Sequence, residues 1–426
     1  MNADQRLSEL FGQLTNYERT RMVEVEWSLD TMHRMVGVLL DGKAARPAAS
    51  RWIQVGGSKG KGTTALYLEV LADSLGLRSG VFTSPHLQQV TERIRIDGEP
   101  VAAEQLVATL EPILRDASEL GVELSFFEAM TLAALVLFRD EAVDLAVFEV
   151  GLGGRLDATT AVPVDGAILT RIELEHTDLL GDTLAAIAAE KAFVMRPGKP
   201  VWFERQAAID AVLLAHAEQV GAQVQDPVQV IDATATAQTW SGTLRVGETT
   251  LPFELPDASA FELSGMALAV GCLRGCFPRH SLSLTPLPRP TLPGRFEVLP
   301  QTDGWPFVLD GAHTPSSAAA VVAELRRRYP DRPVAVLFAT APDKLWRDSL
   351  AELQAVLSRA FVTVPNGIPG QDPSVVVEWL GTRGVPAEVV DSPGHGLQRL
   401  AECAAVRLVL GSFYLVGEAR TSLATQ

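Results

Sequence analysis

The stretch RWIQVGGSKGKGTT, residues 51–64, decides the fold of the first half of the chain. An apolar run ending at Val55 meets four glycines and two lysines, and the helical pattern ALYLEVLADSLGL follows. This order predicts a strand, a tight loop and a helix whose N-terminal N–H groups and dipole favour an anion such as phosphate. The loop departs from G-x-x-x-x-G-K-[ST], because Gly62 follows Lys61 and the first hydroxyl comes at Thr63. A turn with coincidental glycines is the alternative, which the flanking strand and helix disfavour.

Further motifs follow the glycine loop, and together they carry a family resemblance. They are TSPH (residues 83–86), EVGLGGRLDATT (149–160), EHTDLLGDTLAAIAAEKA (175–192), PGR (293–295), LDGAHTP (309–315) and GSFYLVGE (411–418). Taken in this order, the set resembles the folylpolyglutamate synthase and dihydrofolate synthase family of the Mur-ligase superfamily. The resemblance covers nearly the whole chain, and several motifs in order are far more specific than any one of them alone.

The composition indicates a globular protein of two domains. At 426 residues the chain is longer than one ordinary domain, and 47% apolar with 21% charged residues is typical of a protein with ample core. The formal net charge of −16 argues against nucleic-acid and anionic-membrane partners, so any anion site must be a local positive pocket. The three cysteines lack metal-ligand spacing and are expected to be free thiols: Cys272, Cys276 and Cys403.

The N-terminal segment MNADQRLSELFGQL carries acidic residues and no long apolar run, which predicts that it is not a signal peptide. No stretch of the chain reaches the roughly eighteen consecutive apolar residues of a membrane span. We therefore expect a cytoplasmic protein without a membrane partner, and we expect it to be a monomer.

Apolar runs predict a parallel sheet in the first part of the chain. Residues 144–150, 166–172 and 200–204 read as strands buried on both faces, whereas 1–50 and 126–140 read as helices. The alternating ERIRIDG predicts a half-exposed strand, in which Arg93 and Arg95 form a solvated face or, as the minority alternative, bind an anion. The Thr-rich pieces of residues 225–257 predict antiparallel strands attached to the main sheet. The polar segment 16–27 leads, by the resemblance, toward a pterin site.

A proline-rich stretch, residues 283–295, predicts a domain linker. Beyond it, strand patterns alternate with helical patterns, which predicts a doubly wound sheet. The predicted fold class is therefore α/β. It comprises a P-loop NTPase-like, parallel-sheet ATPase domain over residues 1–292 and a smaller Rossmann-like, doubly wound domain over residues 293–426.

The resemblance implies an ATP- and Mg²⁺-dependent ligase that adds L-glutamate to dihydropteroate, to a folate, or to both. Such a ligase transfers the γ-phosphoryl group of ATP to a carboxylate, and an amine then displaces phosphate from the acyl phosphate. Lys61 is the candidate contact to the β- and γ-phosphates. The resemblance implies ATP-binding roles for Gly57, Ser58, Lys59, Gly60, Lys61, Gly62, Thr63, Arg295, Asp310 and His313. It implies substrate-binding roles for Phe127, Arg155 and Asp157.

Two Mg²⁺ sites are implied in the same way, one at Ser84 and Glu149 and a second at His176. A carboxylate such as Glu149, at the end of an apolar strand, is costly unless it is paired or bound to a metal. Imidazole is not a preferred magnesium donor, so the assignment of His176 comes from the resemblance alone. The resemblance also implies that Lys191 is carbamylated, which gives the metals two more oxygens, and a salt-bridged lysine is the alternative. The catalytic set is thus Lys61, Glu149, His176 and Lys191.

Several positions depart from the family pattern. The loop has Lys59 where an asparagine is usual, Glu175 replaces an aspartate, and Thr160 and Thr314 replace asparagines. In the element FELSGMALA, Gly265 occupies the position of an asparagine that contacts adenine. These departures leave two alternatives open: a Mur-superfamily ligase for a non-folate acid, and a nucleotide-binding module without activity. The sequence does not decide between dihydrofolate synthase, folylpolyglutamate synthase and a bifunctional enzyme.

Overall fold

A computed structural model describes residues 2–17, 28–41, 46–342, 344–366 and 369–424. The chain forms two compact units. Unit 1 comprises Met1–His86, Thr91–Ala235 and Thr239–Pro290, and unit 2 comprises Leu87–Val90, Thr236–Gln238 and Thr291–Gln426. Residues 18–27, which make up most of the polar segment that leads toward a pterin site by the resemblance, lie outside the described residues.

Unit 1 is built on an eight-stranded sheet in the order β4-β3-β2-β5-β1-β6-β7-β8. The strands from β2 to β8 along this order run parallel, while β3 and β4 pair antiparallel at one edge. The strand bounds are β1 Arg51–Gly56, β2 Ser79–Phe82, β3 Ile94–Ile96, β4 Glu99–Pro100, β5 Leu145–Glu149, β6 Gly166–Leu169, β7 Pro200–Phe203 and β8 Gln223–Val224. Because β1, β2, β5 and β6 are buried along almost their whole length, they carry the continuous apolar runs seen in the sequence.

Three helices of unit 1 begin after a residue whose side chain accepts an N–H of the first helical turn: Ala3–Gly12 after Asn2, Phe126–Asp140 after Ser125 and Leu184–Lys191 after Thr183. Ser125 and Glu128 form a capping box at the start of α5, and the Ser125 hydroxyl accepts the N–H of Glu128. The helix bounds are α1 Ala3–Gly12, α2 Asp30–Leu40, α3 Lys61–Ser74, α4 Ala103–Glu119, α5 Phe126–Asp140, α6 Thr177–Leu180, α7 Leu184–Lys191, α8 Asp210–Val220 and α9 Glu262–Cys276. Within the described part of the chain, no helix is both long enough and apolar enough to cross a membrane.

The Thr-rich segment forms antiparallel strands as predicted, but its predicted attachment to the main sheet is wrong. The strands β9 Val228–Ala235, β10 Thr239–Val246 and β11 Thr249–Pro256 form a separate three-stranded sheet. Leu244 and Phe253 from this sheet share a hydrophobic cluster with Met266 of α9. Apolar burial against a helix, rather than strand pairing, therefore joins this sheet to the rest of unit 1.

The prediction that Arg93 and Arg95 form a solvated face is also wrong. Arg93 is only 1% exposed, its guanidinium lies 4.9 Å from the centre of the Phe126 ring, and its Nε donates to His86 Nδ1 at 2.8 Å. Arg95 forms an ion pair with the buried Glu69 at 3.0 Å. Partners from distant segments thus cover both side chains, which a local alternating pattern cannot reveal.

Unit 2 contains a six-stranded sheet in the order β12-β13-β17-β14-β15-β16, in which only β12 is antiparallel to its neighbour. The alternation of strands and helices predicted after the linker is confirmed. The strands are β12 Glu297–Leu299, β13 Phe307–Asp310, β14 Val334–Phe338, β15 Leu357–Val362, β16 Ala387–Val389 and β17 Val406–Leu410. The helices are α10 Pro315–Arg328, α11 Trp346–Leu353, α12 Pro373–Gly381, α13 Pro393–Ala401 and α14 Phe413–Ala424.

The close packing of α5 on β2 gives a stability prediction. A Cβ at Gly80 would lie 2.4 Å from Cδ1 of the buried Phe138 ring, so Gly80→Ala should lower the free energy of unfolding by about 1–3 kcal/mol. The control is Gly37→Ala in α2, where a Cβ has no heavy atom within 4 Å. This substitution should raise the free energy of unfolding by about 0.5–1 kcal/mol, because alanine favours the helix more than glycine does. Urea unfolding measures both changes, and equal stabilities of the two variants would contradict the packing argument.

Candidate functional site

The sequence motifs of unit 1 meet at one edge of its sheet. β2, β5, β1 and β6 are neighbours in that order and run parallel. They end at Phe82, Glu149, Gly56 and Leu169, so residues 83–86, 150–160, 57–61 and 170–176 all follow carboxyl ends at the same edge. Ligands of open α/β sheets bind outside the carboxyl ends of the strands. The candidate site is therefore this edge.

The glycine loop after β1 is fixed by the chain that follows β6. The backbone N–H groups of Ser58 and Lys59 donate to the Arg171 carbonyl at 2.8 and 3.0 Å. At Gly57 the φ angle is +135°, and a Cβ would lie 2.0 Å from Oγ1 of Thr170, so only glycine fits. Gly60 then caps α3 with a φ of 89° and offers no side chain to the first N–H groups of the helix. The loop thus has the form of an anion-binding helix N-terminus.

Two lysines of the site share one acceptor. Lys61 Nζ donates to the Gly57 carbonyl at 3.0 Å and to the Ser58 carbonyl at 3.5 Å, and Lys191 Nζ donates to the same Gly57 oxygen at 3.1 Å. Lys191 is 1% exposed and pairs with Glu175 Oε1 at 3.0 Å. The structure thus brings together Lys61 and Lys191, two residues of the expected catalytic set.

The pKa values of this cluster follow from its burial and charge. Burial and the nearby Lys61 ammonium lower the pKa of Lys191 to about 8, although Glu175 acts in the opposite direction. Burial alone would raise the pKa of the Glu175 carboxyl, but the Lys191 and Lys61 cations lower it to about 2. Near neutral pH the pair is therefore mainly an ammonium facing a carboxylate.

The expected metal ligands lie at the ends of β2, β5 and β6. Glu149 is 4% exposed, and its Oε2 accepts the backbone N–H of Ser84 at 2.9 Å. His176 is exposed at the start of α6, with a φ of 46° that is unusual for a residue other than glycine. Among the described residues, no three His, Cys, Asp or Glu side chains gather into a metal cluster. The buried carboxylate at the strand end still supplies the hard oxygen that Mg²⁺ prefers.

The expected substrate-binding residues surround the loop after β5. A Cβ at Gly151 would lie 2.7 Å from the Phe127 ring, so this ring lies against the loop backbone. Asp157 is buried, and its Oδ2 accepts the Gly151 N–H at 2.9 Å, which makes its carboxylate an internal brace of the loop. Burial raises the pKa of the Asp157 carboxyl. Arg155 is on the surface and pairs with Glu190 at 3.0 Å.

The remaining expected ATP-binding residues lie in unit 2, around the end of β13. Asp310 is buried, and its two carboxylate oxygens accept the N–H groups of Phe296 and Ala312, each at 2.7 Å. The Arg295 guanidinium lies 5.5 Å from the centre of the Phe413 ring. His313 Nδ1 lies 2.9 Å from the Gly311 carbonyl oxygen. A strand end, an arginine turn and a histidine loop thus form one cluster within unit 2.

Glu175 is the site residue that the sequence did not assign. Its ion pair with Lys191 holds an otherwise unfavourable ammonium beside Lys61, so it belongs to the charged cluster. The available signal was its place directly before His176 in the motif that ends at Lys191.

Close helix packing explains why a glycine stands at position 265, where the family pattern has an asparagine. A Cβ at this position on α9 would lie 2.8 Å from Oγ1 of Thr64, in the first turn of α3 after the glycine loop. Helices α3 and α9 therefore approach closely at Gly265, and this position presents no side chain to a nucleotide base.

Comparison with known proteins gives one family. The model of the family "Mur ligase, glutamate ligase domain" matches residues 294–413. The dihydrofolate synthase/folylpolyglutamate synthase of Escherichia coli is 30% identical over 374 residues, which cover 85% of this chain and 84% of that protein. A probable bifunctional folylpolyglutamate synthase/dihydropteroate synthase of Haloferax volcanii is 33% identical over 396 residues, which cover 87% of this chain but only 46% of that protein. The chain thus spans about half of the archaeal relative.

A solved structure shows the same architecture along the whole chain. The structure of E. coli FolC in complex with DHPP and ADP superposes with a TM-score of 0.83 and 26% sequence identity. The match covers 100% of this chain and 98% of that one.

Gly265 leads to a prediction about base selectivity. Because no side chain at this position can read the base, ATP should bind less than about a hundredfold more tightly than GTP, since one lost hydrogen-bond partner costs roughly 1–3 kcal/mol. Competition between the two nucleotides in a binding assay measures the ratio, and Phe261 is the residue that would hold either base by stacking. Rejection of GTP by much more than a hundredfold would show that another residue reads the base.

Proposed function

The chain belongs to the dihydrofolate synthase/folylpolyglutamate synthase family, and on that basis we propose that it joins L-glutamate to dihydropteroate, to a folate, or to both, using ATP. The observation that carries this proposal is the convergence of the Lys61 and Lys191 ammonium groups on the Gly57 carbonyl, inside a loop of the phosphate-binding type. Transfer of a γ-phosphoryl group requires positive charge that is already in position before the reaction.

The family resemblance found in the motifs is confirmed, and so are the α/β fold class and the place of the chain among the Mur-type ligases. The expected domain bounds, residues 1–292 and 293–426, stay a proposal. A monomeric state, a cytoplasmic location and the absence of nucleic-acid partners stay predictions.

The proposed reaction begins with ATP in the glycine loop. Backbone N–H groups from Gly60 to Thr63 bind the phosphates, and Lys61 turns from the Gly57 and Ser58 carbonyls toward the β- and γ-phosphates. The γ-phosphoryl group passes to the carboxylate of the folate or pteroate substrate, and the amine of L-glutamate displaces phosphate. Arg295, Asp310 and His313 are proposed as further ATP-binding residues.

The proposed metal ligands are Ser84, Glu149, His176 and carbamylated Lys191, which would hold two Mg²⁺ ions. Bound Mg²⁺ neutralises phosphate charge and orients the phosphoryl group. The buried carboxylate of Glu149 beside Ser84 supports an oxygen-ligated cation. Carbamates form from neutral amine, and a lysine with a pKa of about 8 has far more neutral amine near pH 7 than an ordinary lysine.

Lys61 tests the role of the glycine loop. Lys61→Ala should lower the rate of ATP-dependent ligation about a thousandfold or more, because the phosphates lose a positioned cation. Lys199→Ala is the control, since this half-exposed lysine pairs with Asp165 and should keep wild-type turnover. Near-wild-type turnover of Lys61→Ala would remove the loop from the mechanism.

The substrate class is tested by the masses of the products. Wild-type protein is incubated with ATP, L-glutamate and a panel of acids that includes dihydropteroate, folates and non-folate acids. We expect products heavier by one or more glutamyl residues with the pteroate or folate acceptors only. Glutamylation of a non-folate acid alone would favour the other Mur-type ligase, to which the altered adenine element at Gly265 gives weight. No product with any acid would indicate an inactive nucleotide-binding module.

Carbamylation of Lys191 has its own test. After equilibration with ¹³C-bicarbonate, ¹³C NMR of the wild-type protein should show a carbamate signal that is missing in Lys191→Ala. Lys191→Ala should also be nearly inactive and partly rescued by acetate, whose oxygens can occupy the vacated space. An active wild-type protein without the signal, or full activity in Lys191→Ala, would contradict carbamylation.

A further inference from the structure

A buried glutamine lies in the centre of the parallel sheet of unit 1. Gln54 is 0% exposed and stands between apolar neighbours in β1. Its Nε2 donates to the hydroxyl oxygens of Thr159 and Thr160, each at 2.9 Å, and its Oε1 accepts from Nη2 of Arg196 at 3.2 Å. A polar side chain in a buried strand is costly unless its polar atoms are bonded. These bonds therefore account for a glutamine at this position.

Arg196 is a half-buried cation whose hydrogen bonds all go to uncharged oxygens. Its Nη2 donates to the Thr160 carbonyl at 2.8 Å as well as to Gln54, and its Nη1 donates to the carbonyls of Phe193 and Met195 at 2.5 and 3.4 Å. Within the described part of the chain, none of its hydrogen bonds ends on a carboxylate. Burial lowers the pKa of the Arg196 guanidinium. Among the residues that the structure describes, the positive charge of Arg196 thus has no direct counter-ion.

The counter-charge stands at the far end of the same chain of hydrogen bonds. The Thr159 hydroxyl, which accepts from Gln54, donates to Asp157 Oδ1 at 2.5 Å. The other carboxylate oxygen of Asp157 accepts the N–H groups of Gly151 and Leu152 at 2.9 and 3.0 Å. Every donor from the guanidinium to the carboxylate points the same way, and in such a chain each bond polarises and strengthens the next.

The loop that these hydrogen bonds hold, residues 151–157, lies against two parts of the candidate site. It begins directly after Glu149 and Val150, at the end of β5. A Cβ at Gly154 would lie 2.7 Å from the Glu190 carbonyl oxygen and 3.0 Å from the Lys191 Cα. A shift of the loop would therefore disturb the Phe127 contact at Gly151 and the backbone that carries Lys191.

We propose that Arg196 is a positioning residue for the acid substrate, because it holds the loop of residues 151–157 in place through Gln54, Thr159 and Asp157. This inference rests on the proposed function. The positioning role requires arginine at position 196, because its two Nη groups reach acceptors in three places: on β1, on the segment around Thr160 and on the turn after α7. A lysine ammonium is a compact charge on a single stem and does not span these acceptors.

The first test separates the two substrates. Arg196→Lys should raise the KM for dihydropteroate or folate about tenfold to a hundredfold and the KM for ATP by less than about fivefold, because the displaced loop carries Arg155, an expected acid-binding residue, and meets the lysine cluster through the backbone at Lys191. Arg205→Lys is the matched control, since Arg205 is exposed and pairs with Asp210 at 2.8 Å outside this chain of hydrogen bonds. An unchanged KM for the acid, or equal changes in both KM values, would overturn the proposal.

The second test needs no substrate. Hydrogen exchange at the Gly151 and Leu152 amides should be about tenfold faster than in the wild type in both Arg196→Lys and Thr159→Val. The double variant should exchange no faster than either single variant, because both changes break the same series of hydrogen bonds. Thr159→Val keeps the shape of the side chain and serves alone if Arg196→Lys does not fold. Unchanged exchange, or additive effects in the double variant, would overturn the proposal. A failure of the proposed function would appear separately, as a wild-type protein that glutamylates no pteroate or folate.

Discussion

The carbonyl oxygen of Gly57 is the point on which the site depends, because two ammonium groups donate to it. Lys61 and Lys191 are held within hydrogen-bond distance of one oxygen, in a chain whose formal net charge is −16. Like charges this close repel each other, and Glu175 offsets part of that repulsion. Additional negative charge near the two ammonium groups would therefore be stabilised. The phosphates of ATP would supply that charge, as would a carbamate on Lys191.

The fold places this carbonyl through backbone contacts. Gly57 approaches Thr170 so closely that no side chain would fit, and the next two residues bond to the Arg171 carbonyl. These contacts join the ends of β1 and β6, while Glu149 stands at the end of β5 on the other side of β1. Parallel strand order thus assembles the loop and the carboxylate, and the hydrogen bond from Lys191 to the Gly57 carbonyl joins the end of α7 to them. Arg196 supports the same edge of the sheet through its hydrogen bond to Gln54 of β1.

The sequence predicted those parts of the site that depend on local pattern. The strand–loop–helix around Lys61 and the strand ending at Glu149 follow from apolar runs and glycines, and the family came from the order of the motifs. What it missed depends on partners far apart in the chain. The Lys191–Gly57 bond spans 134 residues, the burial of Arg93 depends on Phe126, and the role of Asp157 as a brace depends on its folded loop. No local periodicity encodes such contacts, nor does it show that residues 228–256 form a separate sheet.

We propose that this site activates a carboxylate by phosphorylation before glutamate is joined to it. The most direct measurement uses an acid substrate whose carboxyl oxygens are ¹⁸O, with ATP and L-glutamate, and follows the label by mass spectrometry of the released phosphate. An acyl phosphate transfers one substrate oxygen to phosphate, so each amide bond formed should yield one ¹⁸O-labelled phosphate. Amide formation with wholly unlabelled phosphate would show that the carboxylate is not activated as an acyl phosphate.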